Sequence, residues 1–145
     1  MPDRRDDSHD VRAVWRERVL ELLYEADTKG EAPADLLRGD EPAFIRERIR
    51  GLTERRSEID AQLTAHVIGW QLERLAPIDR AILRLATAEL LEASTPPSVA
   101  IAEAVKLADR YSTERSAAFV NGVLASIAVD IAGEGHRGEP DREPS

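Results

Sequence analysis

The stretch that most constrains the fold is an unbroken helical pattern over residues 115–132. Apolar side chains recur there every three or four residues, which at 100° per residue places them on one narrow helical face. They are Val120, Val123, Leu124, Ile127 and Ile131. Four residues, none of them large, cluster roughly opposite this stripe, with Phe119 at their edge; they are Ala118, Gly122, Ala125 and Ser126. Because a glycine inside a helix costs about 1 kcal/mol relative to alanine, we expect a neighbouring helix or a ligand to approach closely at Gly122.

The rest of the chain continues this helical spacing, and no stretch of useful length alternates as a β-strand does. The sequence therefore predicts an all-α protein, a compact single-domain bundle of about six or seven helices with short connections. We expect the helical domain to span residues 11–132. A flexible acidic arm at residues 1–10 and a disordered acidic tail at residues 133–145 would flank it, because both ends are polar and charged.

The charge and residue composition exclude several classes of protein. The net charge is −8, of which the two ends supply half, so any nucleic-acid contact must come from a local basic patch. The absence of cysteine excludes a disulfide framework and a thiolate metal site, and it fits a cytoplasmic protein. We see neither a signal peptide nor a run of about 18 apolar residues, so no membrane association is expected.

The residues that could carry catalytic or metal chemistry do not converge in the sequence. The three histidines, His9, His66 and His136, are scattered, and there is no glycine-rich phosphate loop. His66 shares one predicted inner helical face with Val67 and Trp70, so we interpret it as a core or boundary histidine with satisfied hydrogen bonds. We therefore expect no enzyme, no cofactor, no metal and no catalytic residues.

Two charged features on predicted helices point to specific contacts. In the first helix, Arg12 and Arg16 share one flank, apart from an acidic row of Glu17, Glu21 and Glu25. Glu89 falls on the apolar stripe of a later helix, and burying a carboxylate is costly without a partner. It either pairs internally with an arginine or lies at the rim of a protein interface, and the spacing alone favours the internal pair.

Two segments in the second half of the chain resemble a known bacterial family. Residues 78–91 read IDRAILRLATAELL, and residues 98–128 read SVAIAEAVKLADRYSTERSAAFVNGVLASIA. They resemble the NusB family of transcription antitermination factors, whose pattern is similar to DRAILRLAxYEL, VAINEAVELA and SxxFVNGVLD. Arg16-Glu17 with Leu23-Tyr24 also resembles the family's ARExAxxxLY opening. The same helical domain resembles the front of certain ribosomal-RNA cytosine methyltransferases, but this chain lacks their long catalytic domain.

The resemblance implies an all-helical RNA-binding protein that forms a heterodimer with the ribosomal protein NusE. The pair is expected to recognise a short single-stranded boxA element of nascent ribosomal RNA and to act on the RNA polymerase elongation complex. The implied RNA surface comprises Arg12, Arg16, Tyr24, Phe119, Asn121 and Gly122. These residue types can supply the phosphate contacts, stacking and hydrogen bonds that hold unpaired bases. Glu89, in the position of the family's YEL glutamate, is implied to bind the partner.

Several positions depart from the family pattern. Residues 12–15 read RAVW where the family has a denser run of arginines, and Ala88 and Ala102 replace the tyrosine of YEL and the asparagine of INEAV. Because fewer phosphate contacts lower both affinity and salt dependence, we expect weak RNA binding alone and a stronger dependence on the partner. The alternative hypothesis is a protein-interaction module that keeps the NusB fold with weakened or lost RNA binding.

Overall fold

The computed structural model describes residues 4–93 and 95–137, with side chains from residue 11 to residue 134. These residues contain six α-helices and no strand, so the all-α prediction is confirmed. The helices are α1 (Arg4–Lys29), α2 (Ala43–Glu54), α3 (Arg56–His66), α4 (Pro77–Glu92), α5 (Pro97–Tyr111) and α6 (Glu114–Arg137). Two short 3₁₀ turns, Pro33–Leu36 and Leu72–Arg74, lie in the connections.

Several helix ends follow directly from local sequence chemistry. Pro77 and Pro97 open α4 and α5, where proline has the right φ and its missing N–H is not needed. Gly30 ends α1 with a positive φ of 69°, a conformation that glycine adopts without a steric penalty. The Thr113 hydroxyl oxygen accepts a 2.9 Å hydrogen bond from the Ser116 N–H and so caps α6.

Helix α4 is the centre of the fold, because every residue from Asp79 to Leu90 is buried except the half-buried Arg80. A helix that is enclosed on all sides must be surrounded by other helices, and α1, α3, α5 and α6 pack around it. Helix α1 runs antiparallel to α4, since Arg16 contacts Glu89 at one end and Asp27 contacts Arg80 near the other.

Helix α6 has the two faces that its sequence predicts. Its apolar stripe enters the core, with Val120, Leu124 and Ile127 fully buried, whereas the small residues opposite are exposed. The segment Glu114–Glu134 has the length and composition of a membrane-crossing helix. Here, however, its stripe packs against α4 and α5, as in the core helix of a globular protein.

Helical structure extends past both predicted domain boundaries. Helix α1 begins seven residues before residue 11, and α6 continues five residues past residue 132. Neither extension contains a proline that would stop the helix. Residues 1–3 and 138–145 lie outside the described residues, so the flexible arm and the disordered tail stay predictions.

Candidate nucleic-acid interface

A surface cleft of about 230 Å³ lies where α4 and α6 begin. Three segments form it: the connection between α3 and α4, the first turn of α4, and the first two turns of α6. The side chains that matter to its chemistry are Trp70, Arg74, Asp79, Arg115, Ser116 and Phe119. The cleft thus brings together two cations, two aromatic rings and a carboxylate.

The two arginines of the cleft are available to a ligand. Arg74 and Arg115 are exposed, and neither forms a hydrogen bond or an ion pair within the part of the chain that the structure describes. By contrast, Arg80 and Arg84 each bind aspartates. Guanidinium groups without an internal partner can donate bidentate hydrogen bonds to a phosphate.

The two aromatic rings lie on different segments of the cleft. Trp70 follows Gly69, whose φ of 83° redirects the chain after α3, and its side chain is 61% exposed. Phe119 is half-buried on α6. Exposed aromatic faces beside unpaired arginines are the surfaces on which proteins stack unpaired bases.

Asp79 forms the floor of the cleft and joins the two helix starts. It is 8% exposed, and its Oδ2 accepts a 2.8 Å hydrogen bond from the Ser116 hydroxyl. Its Oδ1 is buried and has no hydrogen-bond partner among the described residues. Because Asp79 and Ser116 lie in the first turns of α4 and α6, both helix dipoles favour the negative charge there.

Arg16 and Glu89 form a buried ion pair away from this cleft. They are 5% and 2% exposed, and the Arg16 Nη2 lies 2.9 Å from the Glu89 Oε1. The Thr95 hydroxyl donates a further 3.1 Å hydrogen bond to the same oxygen. The internal pair that the spacing favoured is therefore confirmed. The roles that the resemblance implied, Arg16 in RNA contact and Glu89 in partner contact, do not fit this burial, because neither side chain has surface to offer.

The other expected RNA residues are divided between separate surfaces. Asn121 and Gly122 are exposed within one turn of Phe119, and an added Cβ at Gly122 would meet nothing within 4 Å, so this face is open. Arg12 is exposed one turn before Arg16. It therefore lies beyond Glu89 at the C-terminal end of α4, roughly 20 Å along the helix axis from the cleft. The expected juxtaposition of the Arg12 and Arg16 flank with the Phe119 face is wrong in this structure, because the length of α4 separates them.

Tyr24 opens onto a different groove, of about 360 Å³, between α1, the start of α4 and the end of α5. Its floor is apolar, its walls carry the exposed rings of Tyr24 and Tyr111, and Glu17 and Glu21 lie at its rim. Burial raises the pKa of the Tyr111 phenol above its usual value, and the Glu17 carboxylate raises it further. The groove is therefore apolar at its base, and the acids at its edge form ion pairs, Glu17 with Arg110 and Glu21 with Arg18.

Sequence reasoning missed Trp70, Arg74 and Arg115. The spacing of His66, Val67 and Trp70 predicted one buried helical face, but α3 ends at His66 and Trp70 turns outward. Gly69 was the signal available in the sequence, because a glycine often ends a helix and here it comes directly before Trp70. Arg74 and Arg115 lie 41 residues apart in the sequence, so only the fold shows that they share a cleft.

The fold and this cleft define an all-helical protein whose surface site has the chemistry of nucleic-acid-binding proteins. Within the side chains that the structure describes, no group of three or more histidine, aspartate or glutamate residues is placed to hold a metal ion. The family model described as NusB family matches residues 13–129. The chain belongs to the NusB family.

Individual relatives agree with this assignment in sequence and in structure. Transcription antitermination protein NusB of Kineococcus radiotolerans is 42% identical over 126 residues, which cover 81% of this chain and 93% of that protein. The structure of T. maritima NusB is 36% identical, with a TM-score of 0.74, and the match covers 82% of this chain and 91% of that one. A structure of antitermination factors NusB and NusE in complex with double-stranded RNA contains a chain that is 27% identical, with a TM-score of 0.71. That match covers 82% of this chain and 96% of the other.

Proposed function

We propose that this protein is a cytoplasmic transcription antitermination factor that binds RNA together with the ribosomal protein NusE. Relatives that share its fold are named transcription antitermination proteins, and one was crystallised with NusE and RNA. The observation that carries the proposal is the cleft, where two arginines that have no partner among the described residues line the same surface as two aromatic rings. We assign it no enzymatic activity, in keeping with a family of transcription factors.

The cleft suits a single strand of RNA better than a duplex. Arg74 and Arg115 would bind phosphates, while Trp70 and Phe119 would stack with bases that a duplex keeps paired. The strand would continue over the open helix face at Gly122, with the Asn121 amide within reach of a base edge. We therefore propose a boxA-type single strand of nascent ribosomal RNA as the ligand, with the elongating RNA polymerase as the larger target.

The partner is assigned to the groove between Tyr24 and Tyr111. Exposed tyrosines around an apolar floor are typical of the centre of protein interfaces. The ion pairs at its rim, Glu17 with Arg110 and Glu21 with Arg18, would supply the polar edge that surrounds such a centre. We therefore propose that the partner binds this groove and does not contact the buried Glu89. Tyr24 is accordingly assigned to the partner surface and not to the RNA surface. Arg12, exposed in the N-terminal half of α1, would contact RNA or the partner outside the cleft.

The test is a fluorescence titration of a labelled boxA-like strand, with and without NusE. Arg74→Ala combined with Arg115→Ala should weaken binding and reduce the dependence of log K on log salt by about 0.7 per lost phosphate contact. The matched control is Arg46→Ala with Arg50→Ala, which removes the same charge from exposed arginines on α2 that pair with no residue in the described part of the chain. Equal losses in both double variants would show that binding follows net charge and not the cleft. Competition with the corresponding duplex separates single-strand from double-strand preference.

The alternative function, a protein-interaction module without RNA recognition, has one observation in its favour. The internal pair with Glu89 removes Arg16 from the surface, so Arg12 is left without its expected neighbour. A pull-down of NusE from lysate, divided into samples with and without RNase, distinguishes the two functions. Capture that RNase leaves unchanged, together with no binding of the labelled strand, would favour the interaction module.

A further inference from the structure

We propose that His66 is a positioning residue for the cleft. Its imidazole fixes the end of α3, and with it the segment that carries Trp70, against the face of α6 that carries Phe119. The inference rests on the proposed RNA function and deepens it, since it identifies what sets the distance between the two aromatic walls.

His66 bridges α3 and α6 through both of its ring nitrogens. Its Nδ1 lies 2.7 Å from the Ser126 hydroxyl oxygen, and its Nε2 lies 3.3 Å from the Asp130 Oδ2. A carboxylate only accepts hydrogen bonds, whereas a hydroxyl can also donate one. A neutral imidazole therefore satisfies both contacts by donating from Nε2 to Asp130 and accepting from Ser126 at Nδ1. The sequence interpretation of His66 as a satisfied boundary histidine is confirmed, and the structure adds its two partners.

The two hydrogen-bond partners of His66 lie on the same face of α6 as the cleft residue Phe119. Ser126 and Asp130 follow Phe119 by 7 and 11 residues on α6, and at 100° per residue all three lie within about 20° of one line. Gly122 lies between Phe119 and Ser126 and leaves open space there. The end of α3 is thus fixed to the same strip of α6 that forms one wall of the cleft.

Trp70 follows His66 by only four residues, so a shift of the imidazole would reach this ring first. Between them, the Val67 side chain is buried and the Ile68 side chain is exposed. The other end of the connection is fixed separately. The Arg80 Nη1 donates to the carbonyl oxygens of Leu72, Glu73 and Leu75, at 3.0 to 3.3 Å. The Trp70 segment is therefore held at both ends, by Arg80 on one side and by His66 on the other.

Histidine, serine and aspartate are also the groups of a hydrolytic triad, but this bridge lacks what that chemistry requires. Ser126 lies inside α6, where the N–H groups of the surrounding turns form helical hydrogen bonds. They cannot also form an oxyanion hole. The geometry points to a tie between helices.

A double-mutant cycle tests the inference on the full chain. We expect His66→Ala to weaken binding of the boxA-like strand about fivefold, through loss of the ordered Trp70 wall. His66→Gln, whose amide can still reach Ser126, should restore part of the affinity, and Thr64→Ala, an exposed change on the same helix, should leave it unchanged. In the His66→Ala and Trp70→Ala double variant, the loss should not exceed that of Trp70→Ala alone. Additive losses would overturn the positioning role.

A second measurement does not depend on RNA binding. In a Trp15→Phe background, Trp70 is the only tryptophan, and its fluorescence anisotropy reports the mobility of the segment. The anisotropy should fall in His66→Ala and stay high in Thr64→Ala. An unchanged anisotropy in His66→Ala would overturn the inference even if RNA binds in the cleft. Conversely, RNA binding that ignores Trp70→Ala would contradict the proposed function and leave the anisotropy result standing.

Discussion

Ser116 donates a 2.8 Å hydrogen bond to Asp79, and this contact joins the first turns of α6 and α4 beneath the cleft. The Thr113 hydroxyl in turn donates to the Ser116 hydroxyl at 3.1 Å, so three side chains form one hydrogen-bonded row. The cleft has a fixed floor because the row links the starts of two helices.

Ser116→Ala should lower the free energy of unfolding by about 1–3 kcal/mol, because it leaves the buried Asp79 carboxylate without its donor. Urea denaturation measures the change, and the m-value should stay constant. Ser57→Ala, at an exposed position on α3, is the matched control and should change stability little. Equal stability of the two variants would mean that the Asp79 contact contributes nothing.

Glu89→Ala should lower the free energy of unfolding by about 3–5 kcal/mol, because it leaves the buried Arg16 guanidinium without a counter-charge. Replacing both residues, by Arg16→Met with Glu89→Leu, should be much milder, since no charge is then left unpaired. Denaturation curves of the three variants measure this difference. The folded double variant should also bind NusE normally. If it folds but fails to bind NusE, Glu89 has the direct partner role that its burial argues against.

Gly122→Ala should raise the stability of the protein and weaken its binding of RNA. Alanine removes the helix penalty of glycine, so the free energy of unfolding should rise by up to about 1 kcal/mol, and the added Cβ meets nothing within 4 Å among the described residues. The same methyl group should weaken RNA binding if the strand approaches this backbone. Gly133→Ala, a second helical glycine with open space around it, is the control for propensity alone. Unchanged RNA affinity in Gly122→Ala would show that the strand does not cross this face.

Deprotonation of the Tyr111 phenol should lower the free energy of unfolding at alkaline pH. Its pKa is raised in the folded protein, first by burial and then by Glu17, so the folded state holds the phenol proton to higher pH than the unfolded chain does. That contribution to stability is present below the unfolded pKa and is lost as the pH rises through the folded one. Tyrosinate absorbance measures the titration. Tyr111→Phe should remove the effect, and Glu17→Gln should bring the titration back toward its ordinary range.

The sequence predicted those parts of the structure that depend on periodicity within one helix. The buried stripe of α6, its small exposed face and the internal pairing of Glu89 all follow from spacing along the chain and from the cost of burying a charge. Spacing could not identify which arginine pairs with Glu89, because Arg16 lies 73 residues away. It could not locate the cleft either, since Trp70 and Arg115 line one cleft only after the chain turns at Gly69 and α6 packs beside α4. Tyr111 shows the same limit, because it continues the helical spacing of Ala104 and Ala108, which are buried, but is itself exposed at the end of α5.

The most direct test of the cleft as an RNA site is the emission of Trp70 in the Trp15→Phe background during titration with the boxA-like strand. Stacking of a base on the indole should quench this emission along the same curve that describes binding of the labelled RNA. Arg74→Ala with Arg115→Ala should shift both curves together to weaker binding. RNA binding of normal affinity with no change in Trp70 emission would contradict the account and place the strand elsewhere on the molecule.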